Sequence, residues 1–428
     1  MREMKDSGIE WIGAIPKTWK VEKLCRAVPI ITDFVASGSF ATINDNVEYL
    51  DYPDYAMLVR TADLSGTKDK RVYINKHAYE FLSNSNLFGG EVILSNIGSV
   101  GNVYMYEPLY ERSSLAPNAI MLNGSKNNRY IYYWFLSPHS NEELKRIGGN
   151  AVQLKFNKTQ LKQFKIAIPP TEEQHRISAY LDEKCTKIDT IIEKQQKIIE
   201  KLKAYKLSLI TEAVTKGLNP EVKMKDSGVE FLGEIPVMWT IMKFGKCIKI
   251  KSNLVSPEIY YDYPQIAPDN IEKNSARLLD YKTVRDSGVI SWNHLFFKGQ
   301  IIYSKIRPLL NKIIIAPFDG LCSADMYPIE TENNSKFIVY MMLSNYFSAQ
   351  VGLVTENRVK MPKINQNELS SILVALPSIS EQQEIADYLD KKCSAIDSAI
   401  KKKQALIEKL TEYKKSLIYE VVTGKKEV

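Results

Sequence analysis

Two short runs, Asp182-Glu183-Lys184 and Asp390-Lys391-Lys392, have the acid-x-Lys spacing with which nucleases hold a divalent metal and polarise a phosphate. Both lie on stretches with helical apolar spacing, where such charges make a solvated ion-pair face. The four histidines (His77, His139, His175 and His294) are scattered and pair with no nucleophile or ligand set. No GxxxxGK[ST] phosphate loop occurs, no GxGxxG follows a strand, and the Asn-Pro-Pro-aromatic run of amino-methyltransferases is missing. The sequence therefore predicts a chain with no catalytic centre, metal site or cofactor of its own. Cys25, Cys185, Cys247, Cys322 and Cys393 are too few and too dispersed for a disulfide framework, which predicts a reduced, cytoplasmic setting.

The chemistry these residues do offer is recognition. Polar and basic side chains sit between apolar runs in two stretches of the chain. In the first they are Arg60, Lys68, Lys70, Arg71, Asn96, Ser99 and Asn102. In the second they are Lys305, Arg307, Asn311, Lys312, Arg358, Lys360 and Lys363. Arginine and lysine suit phosphates and guanine edges, and asparagine suits adenine edges, so these positions are candidate DNA contacts. The net charge of +7, from 57 basic and 50 acidic residues, permits nucleic-acid binding through local patches without requiring it.

The elements that must position these groups are organised by an internal repeat. Residues 4–16 read MKDSGIEWIGAIP and residues 224–236 read MKDSGVEFLGEIP, each followed three residues later by a tryptophan, Trp19 and Trp239. A second pair begins EQHRISAYLDEKC at Glu173 and EQQEIADYLDKKC at Glu381, and about 25 of its 43 aligned positions are identical. The offset is 220 residues in the heads and 208 in the tails, so the intervening stretch is about 12 residues shorter in the second half. Matching ends around differing middles describe one scaffold carrying two different recognition surfaces.

Each tail reads as a long helix. Apolar residues recur in steps of three and four at Ile177, Leu181, Cys185, Ile188, Ile192, Ile199, Leu202 and Leu209, broken by Gln195 and Lys206. The second tail has Ile385, Leu389, Cys393, Ile396, Ile400, Ile407, Leu410 and Leu417, broken by Lys403 and Lys414. This is the seam of a coiled coil. Thr171 with Gln174 is a candidate capping box, as is Ser378 with Glu381 or Ser380 with Gln383. Gly217 and Gly424 mark the ends. Each helix should span about 45 residues, or about 67 Å. Connectivity favours an antiparallel pair with globular domains at opposite ends. Tyr180, Tyr205, Ile210 and Val214, and their counterparts Tyr388, Tyr413, Ile418 and Val422, lie off the seam. Two roles suit them: widening a core against the heads, or docking a partner protein.

The middles are strand-rich, with strands expected at 56–60, 91–98, 102–107, 300–306 and 311–317 and helices at 128–137 and 335–347. Gly90–Ser95 aligns with Gly299–Ser304, and Asn102 with Asn311. The predicted fold class is mixed α+β: two globular recognition domains separated by a long antiparallel two-helix coiled coil, with a pseudo-two-fold internal repeat. The segments are a head at 1–20, a domain at 21–168, a long helix at 169–220, a second head at 221–239, a second domain at 240–375 and a second long helix at 376–428. The length of 428 residues and the 44% hydrophobic and 25% charged content are ordinary for globular domains. No apolar run reaches membrane-spanning length, and the first residues, which include acids, predict no signal peptide.

The two heads and the two P-x-x-x-EQ-x-x-I-x-x-YLD-x-K tails resemble the specificity subunit of type I restriction–modification systems, over nearly the whole chain. Glu173, Gln174, Tyr180, Leu181 and Asp182 match the family's tail motif, as do Glu381, Gln382, Tyr388, Leu389 and Asp390. The SKIRPLLNK run of the second middle also looks like a common target-recognition segment, whereas the first has SNIGSVGN there. The resemblance implies that each middle is a target-recognition domain reading one half of a bipartite double-stranded DNA sequence. It implies that the paired helices set the half-site spacing and dock two methyltransferase subunits, with restriction subunits as further partners. S-adenosylmethionine, ATP and Mg would then be held by those partners. The competing readings are an orphan DNA-binding reader without a methyltransferase, a structural DNA-binding coiled-coil protein, and a nuclease with an unrecognised site in a middle domain.

Overall fold

The structure is a computed structural model describing residues 2–66, 70–149, 154–356, 358 and 361–428. It divides into two compact units, Met1–Lys194 with Ala405–Val428, and Gln195–Gln404. The boundaries fall inside the two long helices, Thr171–Lys216 and Ile379–Val422. Each unit therefore holds one head, one middle domain, the first half of its own tail helix and the second half of the other tail helix.

In the first unit the head is a small hairpin, Met4–Asp6 against Ala14–Pro16. The Asp6 carboxylate accepts the Gly8 amide at 3.0 Å and shapes the turn. The middle domain carries two four-stranded sheets. One runs in the order Ile30–Asp33, Ala119–Asn123, Val92–Ser95, Val103–Met105 and is antiparallel throughout. The other runs Tyr73–Ile74, Ala56–Val59, Ser113–Leu115, Asn86–Leu87, and its central pair is parallel. Strand Val92–Ser95 is buried on both faces. Val92 and Leu94 join the core beneath helix Asn128–Leu136, while Ile93 packs toward the second sheet with Met57 and Met121. Period-two alternation divides one apolar run between two cores.

The second unit repeats this plan. Its head pairs Met224–Asp226 with Glu234–Pro236. One sheet has the order Lys249–Ile250, Met326–Glu330, Ile301–Ser304, Ile313–Ile315, matching the first unit strand for strand. The other has five strands, Leu254–Val255, Asn293–Phe296, Gly320–Ser323, Pro264–Ile266 and Lys282–Thr283, again with one parallel pair. The aligned frame of Gly90–Ser95 and Gly299–Ser304 is thus a shared central strand. The helix expected over 335–347 is broken at Ser344 into Ser335–Leu343 and Asn345–Thr355. The Ser344 hydroxyl accepts the Phe347 amide, so a cap residue inside an apolar run divides it. Among the described residues no single helix is long and apolar enough to cross a membrane. This bent pair has the composition, but its apolar residues are packed into the second unit's core.

The mixed α+β class and the repeat are as the sequence predicts, and an antiparallel helix pairing is present in each unit. In the first, Lys426 lies over Tyr180 while Lys414 pairs with Asp189. In the second, Lys403 donates to Gln195 at 3.0 Å and Lys206 pairs with Asp397 at 2.6 Å. The polar breaks in the seam are therefore all answered across it. Seam residues Leu181, Cys185, Ile188, Ile199, Leu389, Cys393, Ile396, Ile400 and Leu417 are buried, and Ile192, Leu202, Leu209, Ile407 and Leu410 are half-buried. At the second helix start, Ser378 is the cap and accepts the Glu381 amide. At the first, Thr171 is already helical, and Gln174 gives its side-chain amide to the Pro169 carbonyl rather than closing a box. Both helices end at a left-handed glycine, Gly217 and Gly424.

Candidate nucleic-acid interface

In the first unit the site forms around the turn that follows strand Ser113–Leu115. The Ala116 amide bonds the Val59 carbonyl and the Asn96 amide bonds the Asn118 carbonyl, so the chain at Arg60 and the loop at 96–102 flank one sheet end. Arg60 is gripped by Asp63 through two bonds, 2.9 Å from Nε and 2.6 Å from Nη2, which hold its guanidinium firmly charged. Lys70, Arg71, Ser99 and Asn102 are exposed. Asn96 is buried and donates to the Phe156 carbonyl at 3.0 Å, so its amide is turned into the fold. Lys68 lies outside the described residues.

The second unit assembles its set around the equivalent turn after Gly320–Ser323. The Lys305 amide bonds the Asp325 carbonyl, and its ammonium reaches the Ala324 carbonyl at 2.6 Å. Lys363 pairs with Asp325 at 3.0 Å, and the Arg307 amide bonds the Pro362 carbonyl. Lys305, Arg307 and Lys363 thus form one basic cluster, in which Arg307 and Lys363 are exposed. Buried His294 lies near it, and burial first and Lys305 second push its pKa down, keeping the ring neutral. Lys312 reaches the Pro268 carbonyl and Asp269. Arg358 is paired with Glu368. Asn311 is buried, with its amide on the Ser348 hydroxyl at 3.0 Å, and offers nothing outward. Lys360 lies outside the described residues.

The tail motif residues have intrachain partners. Glu173 accepts the Trp19 indole N–H and an Arg2 N–H, and Glu381 accepts the Trp239 indole N–H. Asp182 takes Arg129 and Tyr133 from helix Asn128–Leu136, and Asp390 takes Lys336 and Tyr340 from Ser335–Leu343. The motif fastens each middle domain to a long helix, and the first acid of each acid-x-Lys run is engaged there, while the lysines Lys184 and Lys392 lie over Tyr180 and Tyr388. Of the two roles open to them, Ile210, Ile418, Val214 and Val422 take the first and are core residues. They pack in the same cores as the head residues Leu232, Ile235 and Trp239 in one unit and Ile12, Ile15 and Trp19 in the other. Tyr205 and Tyr413 are exposed, while Tyr180 and Tyr388 are half-buried, each beneath a lysine one turn on, Lys184 and Lys392.

The two units thus present equivalent sheet ends with basic and small polar side chains around them, each packed on long-helix segments within its own unit, a repeated two-domain scaffold. The type I restriction modification DNA specificity domain matches this chain twice, over residues 28–204 and 237–409, and the chain belongs to that family. It is 30% identical over 307 residues to the EcoDI type I restriction enzyme specificity subunit of Escherichia coli, covering 68% of this chain and 69% of that one. MjaX of Methanocaldococcus jannaschii, a type I specificity subunit by assignment, is 28% identical over 436 residues, 97% of this chain and 95% of its own. A solved chain from work on complex assembly and conformational transition of the type I restriction–modification system superposes with a TM-score of 0.69. It covers 96% of this chain and 99% of its own at 12% identity, a likeness of fold.

Proposed function

We propose that this chain is the DNA-recognition subunit of a type I restriction–modification complex and that each middle domain reads one half of a bipartite target. The observation carrying this reading is the pair of equivalent sheet ends: the same strands and turns in both units, surrounded by different side chains. Phosphate contacts from lysine and arginine supply sequence-independent, salt-sensitive affinity. Base contacts add about 1–3 kcal/mol of discrimination per base pair read. Joining two readers through paired helices makes the second contact intramolecular and rejects half-sites at the wrong spacing. The helices also dock two methyltransferase subunits, with restriction subunits joining them. Catalysis then belongs to those partners.

Co-expression with a type I methyltransferase subunit from the same genome and a genome-wide map of modified adenines tests this. A split motif with a fixed gap, lost when this chain is omitted, is the expected result. A soluble, bound partner with no such motif would favour the orphan or structural readings. Inserting one heptad after Gln195, with its match after Lys403, should lengthen the gap and spare both half-sites. An unchanged gap would remove the spacer role.

A further inference from the structure

The second unit exposes an apolar tip that its DNA-reading residues do not explain. Ile290 is 92% exposed and Trp292 61% exposed, in the segment between helix Val284–Ser287 and strand Asn293–Phe296. Of the other tryptophans, Trp19, Trp134 and Trp239 are fully buried and Trp11 is half-buried. Leaving an indole in water forfeits one of the largest hydrophobic gains available to a side chain.

Strand register fixes where the tip lies. Asn293 is paired with Ser323, so Trp292 stands just beyond that rung, beside the turn that carries Ala324 and Asp325. Neighbouring strands are about 4.8 Å apart. The same turn holds the Lys305 ammonium on its Ala324 carbonyl and the Lys363 ammonium on its Asp325 carboxylate. Lys305 and Arg307 have no carboxylate partner among the described residues. An exposed aromatic next to unneutralised cations suits a ligand that is flat and apolar on its faces and anionic along its edge. A duplex base step has that chemistry. Asn293 is itself buried and donates to the Ser291 carbonyl, which steadies the segment from below. In the first unit the corresponding strand, Asn86–Leu87, follows the polar turn Ser83–Ser85, so the tip is a feature of the second unit alone.

We propose that Ile290 and Trp292 form a wedge that enters one base step of the DNA held by the second unit, the indole stacking on the opened base pair. This rests on the DNA-reading function proposed above. It makes the second half-site sensitive to how easily that step unstacks, so pyrimidine–purine steps are favoured there.

The test uses the full chain in complex with its methyltransferase subunits and target duplexes carrying 2-aminopurine at each position in turn. The wild-type complex should raise 2-aminopurine fluorescence at one step other than the methylated adenine. Trp292→Ala should abolish that rise and weaken duplex binding about tenfold, while Trp292→Phe keeps part of both. Because the side chain is exposed, the variants should keep the wild-type melting temperature. A wild-type complex that binds its target with no such signal would overturn the wedge and leave the reading function standing. So would an Ala variant whose affinity lies within twofold of wild type, or one that instead loses its methyltransferase subunit. A complex that does not discriminate its target duplex from random DNA would sink the reading function itself, and the wedge with it.

Discussion

Trp19 donates its indole N–H to Glu173 at 3.0 Å across 154 residues of chain, and Trp239 makes the same bond to Glu381 at 3.1 Å. The head tryptophan and the first acid of the tail are thus one structural device used twice. Glu173→Ala should strip a buried indole of its acceptor and Arg2 of its counter-charge. A loss of about 1.5–3 kcal/mol is expected for a hydrogen bond to a charged group. Urea denaturation of the variant checks this, and a cost under half a kcal/mol would refute the role.

The helix-ending glycines should not tolerate alanine equally. Both have positive φ, +73° at Gly217 and +70° at Gly424. A Cβ at Gly424 would stand 2.5 Å from Pro16 ring carbons, whereas at Gly217 the nearest atom is a Glu381 carboxylate oxygen at 3.1 Å. At Gly217 the Glu381 oxygen need give only by a few tenths of an ångström and can keep its bond to Trp239, whereas at Gly424 the Pro16 ring itself must shift. Gly424→Ala should therefore lower the melting temperature clearly more than Gly217→Ala. Equal shifts would contradict the packing at the first head.

Thiol reactivity should separate the cysteines. Cys25 is exposed, and the other four are buried. Burial pushes the thiols of Cys247 and Cys393 up to about 11 and raises those of Cys185 and Cys322 as well. A thiol must ionise to react, so native protein at pH 8 should be alkylated at Cys25 alone. Mass spectrometry after brief iodoacetamide treatment reads the outcome.

Acid should loosen the segment around Glu368. The Arg358 guanidinium bonded to it holds this carboxyl below its ordinary value of 4.5. A carboxylate depressed on folding contributes stability that is present above its unfolded pKa. That contribution is lost as pH falls from about 4.5 through the lower folded value. Glu368→Gln should remove this part of the acid limb, seen as a flatter fall in melting temperature below pH 4.5.

The heads, the long helices and the seam were legible because they are periodic and occur twice. Ile188 and Ile396, or Gly217 and Gly424, announce themselves by spacing alone. Partners were not legible. Nothing in the order of residues says that Lys206 meets Asp397, because that pairing depends on which way the second helix runs. Asn96 and Asn311 look like base readers by type, yet each is bonded inward, to Phe156 and to Ser348. Trp292 is masked in the sequence for the opposite reason. It sits in a short mixed run, VISWNHL, whose apolar letters suggest a buried strand; only the register shows that the strand begins one residue later.

The division of the long helices has a consequence for the order of synthesis. The second unit is one unbroken stretch, and all of it exists once residue 404 has been translated. The first unit has to wait. Its core includes Leu417, Ile418, Val421 and Val422, which leave the ribosome after the whole of the second unit. The half that is made first therefore matures second, and until then the Trp19 pocket and the inner face of the first helix are open to solvent. Maturation on this plan should run against the usual N-to-C order of domains. A chaperone acting on it should be found holding the residues that were born earliest.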